Sequence, residues 1–244
     1  MRVTSILNGR VALRLSGVAL LAALAACGGG SRQHPAPRPP VARPLPAPDL
    51  NAPSTAAIQQ QLYALRSNPA LCQSLLKQTQ GLTVEPLKDW TDGPQCVVSN
   101  TSRMLDALVL PDRKLPLTCP MIAGYHLWVR ESVLPAARKY YGQGIKKIET
   151  FGSYSCRNRN GKANAPISEH ASANALDVAA FVLENGRRIR VKADWSSGDG
   201  AARAFLRTVH DGACRYFSIV LGPEADGYHQ DHFHLDMGRW RKCQ

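Results

Sequence analysis

Histidine is concentrated in this chain where it could do chemistry. Four of the seven His lie in two short segments, Ser168-Glu169-His170-Ala171-Ser172-Ala173-Asn174-Ala175-Leu176-Asp177 and His229-Gln230-Asp231-His232-Phe233-His234-Leu235-Asp236. Side chains alternate along a strand, so in the second segment His232, His234 and Asp236 share one face while Phe233, Leu235 and Met237 share the other. One face suits polar work and the other suits a core. Neutral imidazole is a good Zn²⁺ ligand at roughly 2.0 to 2.1 Å, and an alternating His pair can address one site. His170 and Asp177 are seven residues apart, which on a helix is about 10 Å along the axis and too far for both to bind one ion. The segment is therefore expected to be a loop that runs into a strand starting near Asp177. Val178, Ala179, Ala180 and Phe181 are uncharged and apolar, as strand entry into a core requires.

Positioning these groups needs a scaffold, and residues 56–244 carry the pattern of one. Ala56 to Lys77 holds helix formers with Ile58, Leu62 and Leu65 at helical spacing, and the break near Asn68-Pro69 predicts two short helices. Pro120 to Tyr141 reads as a further helix, with Pro120 in its first turn and Ile122, Leu127, Val129, Val133, Leu134 and Ala137 on its buried side. Pro135 should kink or split it. Lys146 to Cys156 reads as a strand, and Leu176 to Val182 with Arg188 to Lys192 as a hairpin around Glu184-Asn185-Gly186-Arg187. Asp199 to Arg215 is expected to be helical, with strands at Phe217 to Leu221 and His232 to Met237. Helices come first and strands cluster later, which predicts an α+β fold with helices flanking a mainly antiparallel sheet. No internal repeat is present.

A chain of 244 residues suits one domain of ordinary size with extensions, and 44% hydrophobic with 20% charged residues is a globular composition. The net charge of +12 would permit an anionic partner. Residues 1–55, however, hold six Arg and one Asp, so +5 of that excess sits there and +7 remains for the rest. No later basic cluster interleaved with aromatics supports nucleic-acid binding.

The beginning of the chain reads as an address. Arg2, Arg10 and Arg14 precede an uncharged run from Leu15 to Ala26, too short to span a membrane and suited to a secretory signal. Leu24-Ala25-Ala26-Cys27 resembles the bacterial lipobox, which implies lipidation of Cys27 and a membrane anchor at the end of a signal peptide covering residues 1–27. Gly28 follows, and the absence of Asp there implies a periplasmic protein held at the outer membrane of a Gram-negative host. Eight of the 25 residues from Ser31 to Thr55 are Pro, so residues 28–55 are expected to form a tether. As polyproline II that stretch would reach on the order of 75 Å. Beyond Cys27 stand Cys72, Cys96, Cys119, Cys156, Cys214 and Cys243, an even six in a chain expected to be exported, which predicts disulfides in one of 15 pairings. No CxxC pair points to a zinc ribbon or a redox site.

Ser168-Glu169-His170, Ala175-Leu176-Asp177 and His232-Phe233-His234 together resemble the zinc peptidases that group lysostaphin-type enzymes, D-alanyl-D-alanine carboxypeptidases and the hedgehog signalling domain. A closer likeness joins these to Gly152-Ser153-Tyr154-Ser155-Cys156-Arg157-Asn158-Arg159 and Leu221-Gly222-Pro223-Glu224. In that order they are similar to the bacterial extensin-like C-terminal domain family, over about Leu71 to Cys243.

The resemblance implies Zn²⁺ held by His170, Asp177 and His234, with Arg157 polarising a scissile carbonyl or holding a carboxylate. For the base it offers Asp231, in the place of a carboxypeptidase Glu, and His229 or His232, as in murein endopeptidases. Strand parity favours His232, which shares a face with His234, whereas Asp231 within the strand would point with Phe233 toward the core. Ala173 stands where relatives commonly have Gly. The expectation is a zinc-dependent peptidoglycan hydrolase, an endopeptidase rather than a carboxypeptidase, cutting an amide bond in the stem peptide or cross-link. The alternative is a non-catalytic zinc-containing cell-wall binding module, since the hedgehog relatives keep a metal without proteolysis. Nothing in the sequence names an activator.

Overall fold

The computed structural model describes residues 45–244. The expected signal peptide, Cys27 and most of the expected tether lie outside the described residues. Among the described residues, the stretch before residue 56 makes specific contacts with the domain that follows. Leu50 is buried in the core, Arg130 donates to the carbonyls of Leu50 and Ala52, and Ser54 donates to Glu131. Proline-rich chain here lies against the domain because a guanidinium collects its carbonyls.

Helix α1 (Ile58–Ala64) closes in a 3-10 turn, and α2 (Pro69–Gln78) starts afresh where the Asn68 side chain accepts the Leu71 N–H. The break falls at Asn68-Pro69 because proline suits the first turn of a helix and not its interior. Five short strands follow: β1 (Thr83–Pro86), β2 (Trp90–Thr91), β3 (Val97–Val98), β4 (Thr101–Asp106) and β5 (Leu117–Thr118). They form a three-stranded antiparallel sheet, β1-β4-β5, and a β2-β3 pair. None was anticipated, since segments of two to six residues are too short to show alternation.

Every residue of α3 (Cys119–Trp128) is buried. Gly124 lies so close to Met237 and Phe217 that a Cβ would stand 2.7 Å from the Met237 side chain, and the missing side chain lets this helix press on the sheet. A wide π turn at Val129–Val133 separates α3 from α4 (Leu134–Tyr141), which carries Pro135 in its first turn. The helix is split where proline removes a donor.

The larger sheet holds β6 (Ile145–Gly152), β7 (Ala175–Leu183), β8 (Arg188–Arg190), β9 (Ile219–Leu221), β10 (Phe233–Asp236) and β11 (Lys242–Cys243). Its order is β11-β9-β10-β7-β6, with β8 also on β7, and all pairs are antiparallel except β11 with β9. Strand β7 changes partner along its length: Ala175 to Val178 pair with β10, and Ala180 to Val182 pair with β8. The β7-β8 hairpin turns at Gly186, whose φ of +87° glycine adopts without a Cβ penalty. After α5 (Val191–Asp194), α6 (Gly200–Ala213) places Ala202, Phe205, Leu206, Val209 and Ala213 on one buried stripe. Trp128 sits at the centre, edge-on to Phe181 and Phe217, and its indole N–H donates to the Val209 carbonyl at 2.8 Å. The fold is mixed α+β, with helices and mainly antiparallel sheets.

Three disulfides join Cys72 to Cys119, Cys96 to Cys156 and Cys214 to Cys243, with Cα separations of 6.0, 5.6 and 5.7 Å. The first ties α2 to α3. The second fixes the loop that carries Arg157, and the third fixes the chain end beside β9.

Candidate functional site

Ser168 opens the turn that begins the site, its side chain accepting the His170 N–H, and Glu169 to Ser172 form one 3-10 turn. Ala173 then takes a left-handed conformation, φ +54°, at a cost of about 1 kcal/mol that Gly would not incur. This reversal delivers the chain to β7 at Ala175 and brings His170 back over Asp177, closing the seven-residue separation to 3.1 Å between Nε2 and Oδ1. Asn174 locks the turn: it accepts from Thr118 Oγ1 at 2.8 Å and donates to Glu169 at 2.7 Å.

In the antiparallel register Asp177 lies opposite His234. His234 Nδ1 stands 3.0 Å from Asp177 Oδ1 and 3.2 Å from His170 Nε2, so the three atoms make a triangle with sides of 3.0 to 3.2 Å. A tetrahedral zinc with ligands at about 2.0 to 2.1 Å would set its donors roughly 3.3 Å apart. The outer nitrogens are already spoken for. His170 Nδ1 donates to the Ser153 carbonyl at 3.1 Å, and His234 Nε2 donates to Asp236 Oδ2 at 3.0 Å. Such partners leave the inner nitrogens as the atoms that could ligate a metal, the arrangement by which carboxylates and carbonyls orient metal-binding histidines. On this donor chemistry the residues fit a divalent cation.

Charge agrees with geometry. Burial would raise the Asp177 carboxyl, but hydrogen bonds from His170 and His234 and their charge hold it well below the usual carboxylate range. Burial would lower His234, yet Asp177 and Asp236 on its two sides push it up to about 9. A position that grips a proton between two carboxylates also suits a metal ion, which would bind by displacing that proton from Nδ1.

His232 precedes β10 and faces the same cluster, with Nε2 3.5 Å from Asp177 Oδ1. Its Nδ1 donates to Asp231 Oδ1 at 2.8 Å. β10 begins only at Phe233, so the condition under which Asp231 would point with Phe233 toward the core is not met, and strand parity governs neither Asp231 nor His232. His229 is buried, donates from Nδ1 to Asp226 at 2.7 Å, and has ring centroids 5.3 Å from His232 and 5.6 Å from His234. Burial pulls its pKa down against the pull of Asp226. His170, Asp177, His229, His232 and His234 line a cleft of about 410 Å³, with Arg157, Arg159 and Tyr228 also on its walls. Arg157 is exposed, and its carbonyl accepts the Ser168 N–H, which anchors its loop to the His170 turn.

The family model described as Extensin-like protein C-terminus matches residues 70–244. The chain belongs to that family. Neither the curated proteins nor the solved structures contain a match. The matched stretch of this extensin-like domain holds all six disulfide cysteines and every residue of the cleft.

Sequence reading placed Asp236 on the His234 face but gave it no task, although the His-x-Asp alternation signalled one. Ser153 was missed as well, because a backbone carbonyl leaves no mark in residue type. A second grouping, His210 with Cys214 and Cys243, has the spacing of a metal site. Its two sulfurs are joined to each other and are not available as thiolates.

Proposed function

We propose that this protein is a zinc-dependent peptidoglycan hydrolase, an endopeptidase that cuts an amide bond in the stem peptide or cross-link. One observation carries the reading: a carboxylate-oriented imidazole, His232, stands beside a preformed two-histidine, one-carboxylate donor set. The likeness of Ser168-Glu169-His170, Asp177 and His232-Phe233-His234 to the lysostaphin-type group supports the class of chemistry. The secretory and lipobox pattern supports a cell-wall substrate.

His170 Nε2, Asp177 Oδ1 and His234 Nδ1 would hold the zinc. When bound, zinc supplies Lewis-acid activation of a water and of the amide carbonyl. His232 Nε2 takes the proton of the attacking water and passes it to the leaving amine nitrogen as the C–N bond breaks. Asp231 keeps the proton of His232 on Nδ1, leaving Nε2 free as the acceptor, and stabilises the imidazolium that forms. His229, held by Asp226, presents its other nitrogen to the same space. Arg157, on the rim, holds a substrate carboxylate or carbonyl oxygen by a charge-assisted hydrogen bond.

Purified full-length protein should release muropeptides from isolated sacculi, stop when a chelator is added and resume when Zn²⁺ is restored. Stoichiometric zinc with retention on sacculi and no release would instead make it a cell-wall binding module. The anchor is part of the same proposal: the protein sits in the periplasm, held at the outer membrane through lipidated Cys27. Cys27→Ser should then move it from the membrane fraction to the soluble fraction, and a wild-type protein already soluble and free of acyl groups defeats the anchor.

A further inference from the structure

A second groove of about 540 Å³ opens beside the first, on the solvent face of the same sheet. It exists because of an irregularity in β7. Glu149 pairs with Ala180 but Thr150 pairs with Val178, so Ala179 is an extra residue, a bulge against β6. It falls where β7 leaves β10 and takes up β8. As a result Ala179 and Ala180 both face the groove, and its floor is made of methyl groups where larger side chains would fill it.

The walls are charged, and the pairing leaves a cationic surplus. Glu149 is taken by Lys147 and Arg188, Asp112 by the backbone N–H and hydroxyl of Thr150, and Asp231 by His232. Arg113 lies 3.5 Å from Asp112. Arg190 and Lys192 line the same groove, and among the described residues neither side chain has a carboxylate within ion-pair distance. The Asp194 carboxylate nearby accepts the backbone N–H of Arg190. Phe151 stands at the junction with the first cleft, 57% exposed and edge-on to His232 at 5.6 Å. His232 lines the first cleft, with Arg157 and Arg159, while the two residues it touches, Asp231 and Phe151, line the second with Arg190 and Lys192.

We infer that the Arg190–Lys192 groove binds the second, carboxylate-bearing peptide arm of the substrate, with Phe151 packing against its apolar part. The inference rests on the peptidoglycan reading and sharpens it. A cleft continued past Asp231 and Phe151 by a second groove takes a bond in the middle of a cross-link, whereas a carboxypeptidase needs only one arm and a terminus.

Full-length protein stripped of metal by chelator, so that no bond is cut, is titrated calorimetrically with a cross-linked stem-peptide dimer bearing free carboxylates. The same dimer with amidated carboxylates is titrated in parallel. Arg190→Glu with Lys192→Glu should weaken binding of the free-carboxylate dimer about 10-fold or more, the scale of two exposed ion pairs turned repulsive. The amidated dimer should bind wild type and variant alike. Both side chains are exposed, so the thermal midpoint should stay unchanged; if it falls, Arg190→Gln with Lys192→Gln provides the same comparison. Equal affinity of wild type and variant for the carboxylate dimer overturns the inference, and so does a wild type that binds neither dimer. Failure of the hydrolase reading looks different: the dimer binds with the expected charge dependence, and zinc-loaded wild type leaves it whole.

Discussion

Two buried histidines in this domain meet opposite fates. His234, on the sheet, has a carboxylate at each ring nitrogen, and its pKa is pushed up to about 9. His126, on α3, is buried and has an unpartnered Nδ1. Burial, aided by the charge of Arg130, pushes its pKa down to about 4. Burial alone therefore says nothing about function. A histidine enclosed by apolar neighbours becomes a neutral packing element, and one enclosed by acceptors becomes a place for a cation.

The strongest way to break this contrast is to empty the acceptor side. His170→Ala or Asp177→Ala should lose nearly all bound Zn²⁺ while the disulfide-bonded fold persists, as read by metal analysis and circular dichroism. Asp236→Ala, which only frees the outer nitrogen of His234, should weaken zinc binding by about 10- to 100-fold. Full zinc retention in His170→Ala and Asp177→Ala would end the metal assignment.

Next comes the division of labour between neighbours. His232→Ala should lower turnover on a cross-linked muropeptide by at least about 10²-fold with zinc retained, and Asp231→Asn should cost less, because Asp231 acts through His232. A larger loss for Asp231→Asn, with metal kept in both, would move the base to the carboxylate and the activity toward carboxypeptidase.

The smallest effect belongs to His126. Its folded pKa lies below its ordinary value near 6.5, so between about pH 4 and 6.5 the unfolded chain binds more protons. The stability contribution is complete above about pH 6.5 and is lost as pH falls toward 4, by about 3 kcal/mol across the window. His126→Leu should flatten that acid slope in denaturant titrations at pH 7, 5.5 and 4. An unchanged slope would show that His126 is not the group that titrates.

How much of this was legible beforehand depends on the range of the force involved. Alternation in Phe233-His234-Leu235-Asp236 is a property of neighbouring residues, and β10 obeys it, with Phe233 and Leu235 in the core and His234 bonded to Asp236 on the other face. The Asn68-Pro69 break, the split near Pro135 and the turn at Gly186 follow from the backbone chemistry of single residues. So does the need for a reversal between His170 and Asp177, which Ala173 supplies despite its Cβ. Other features rest on partners far along the chain. Cys72 finds Cys119 across 47 residues and Cys96 finds Cys156 across 60, and nothing local selects those among the 15 pairings. Leu50 and Ala52 are held because Arg130, about 80 positions later, donates to their carbonyls. Asp231 becomes the partner of His232 because β10 starts two residues after it. The sequence by itself determined which residues could ligate, turn or break. The tertiary structure decided which of them meet, because sheet register, the Ala179 bulge and the disulfides bring together atoms whose separation in the chain carries no information about their distance in space.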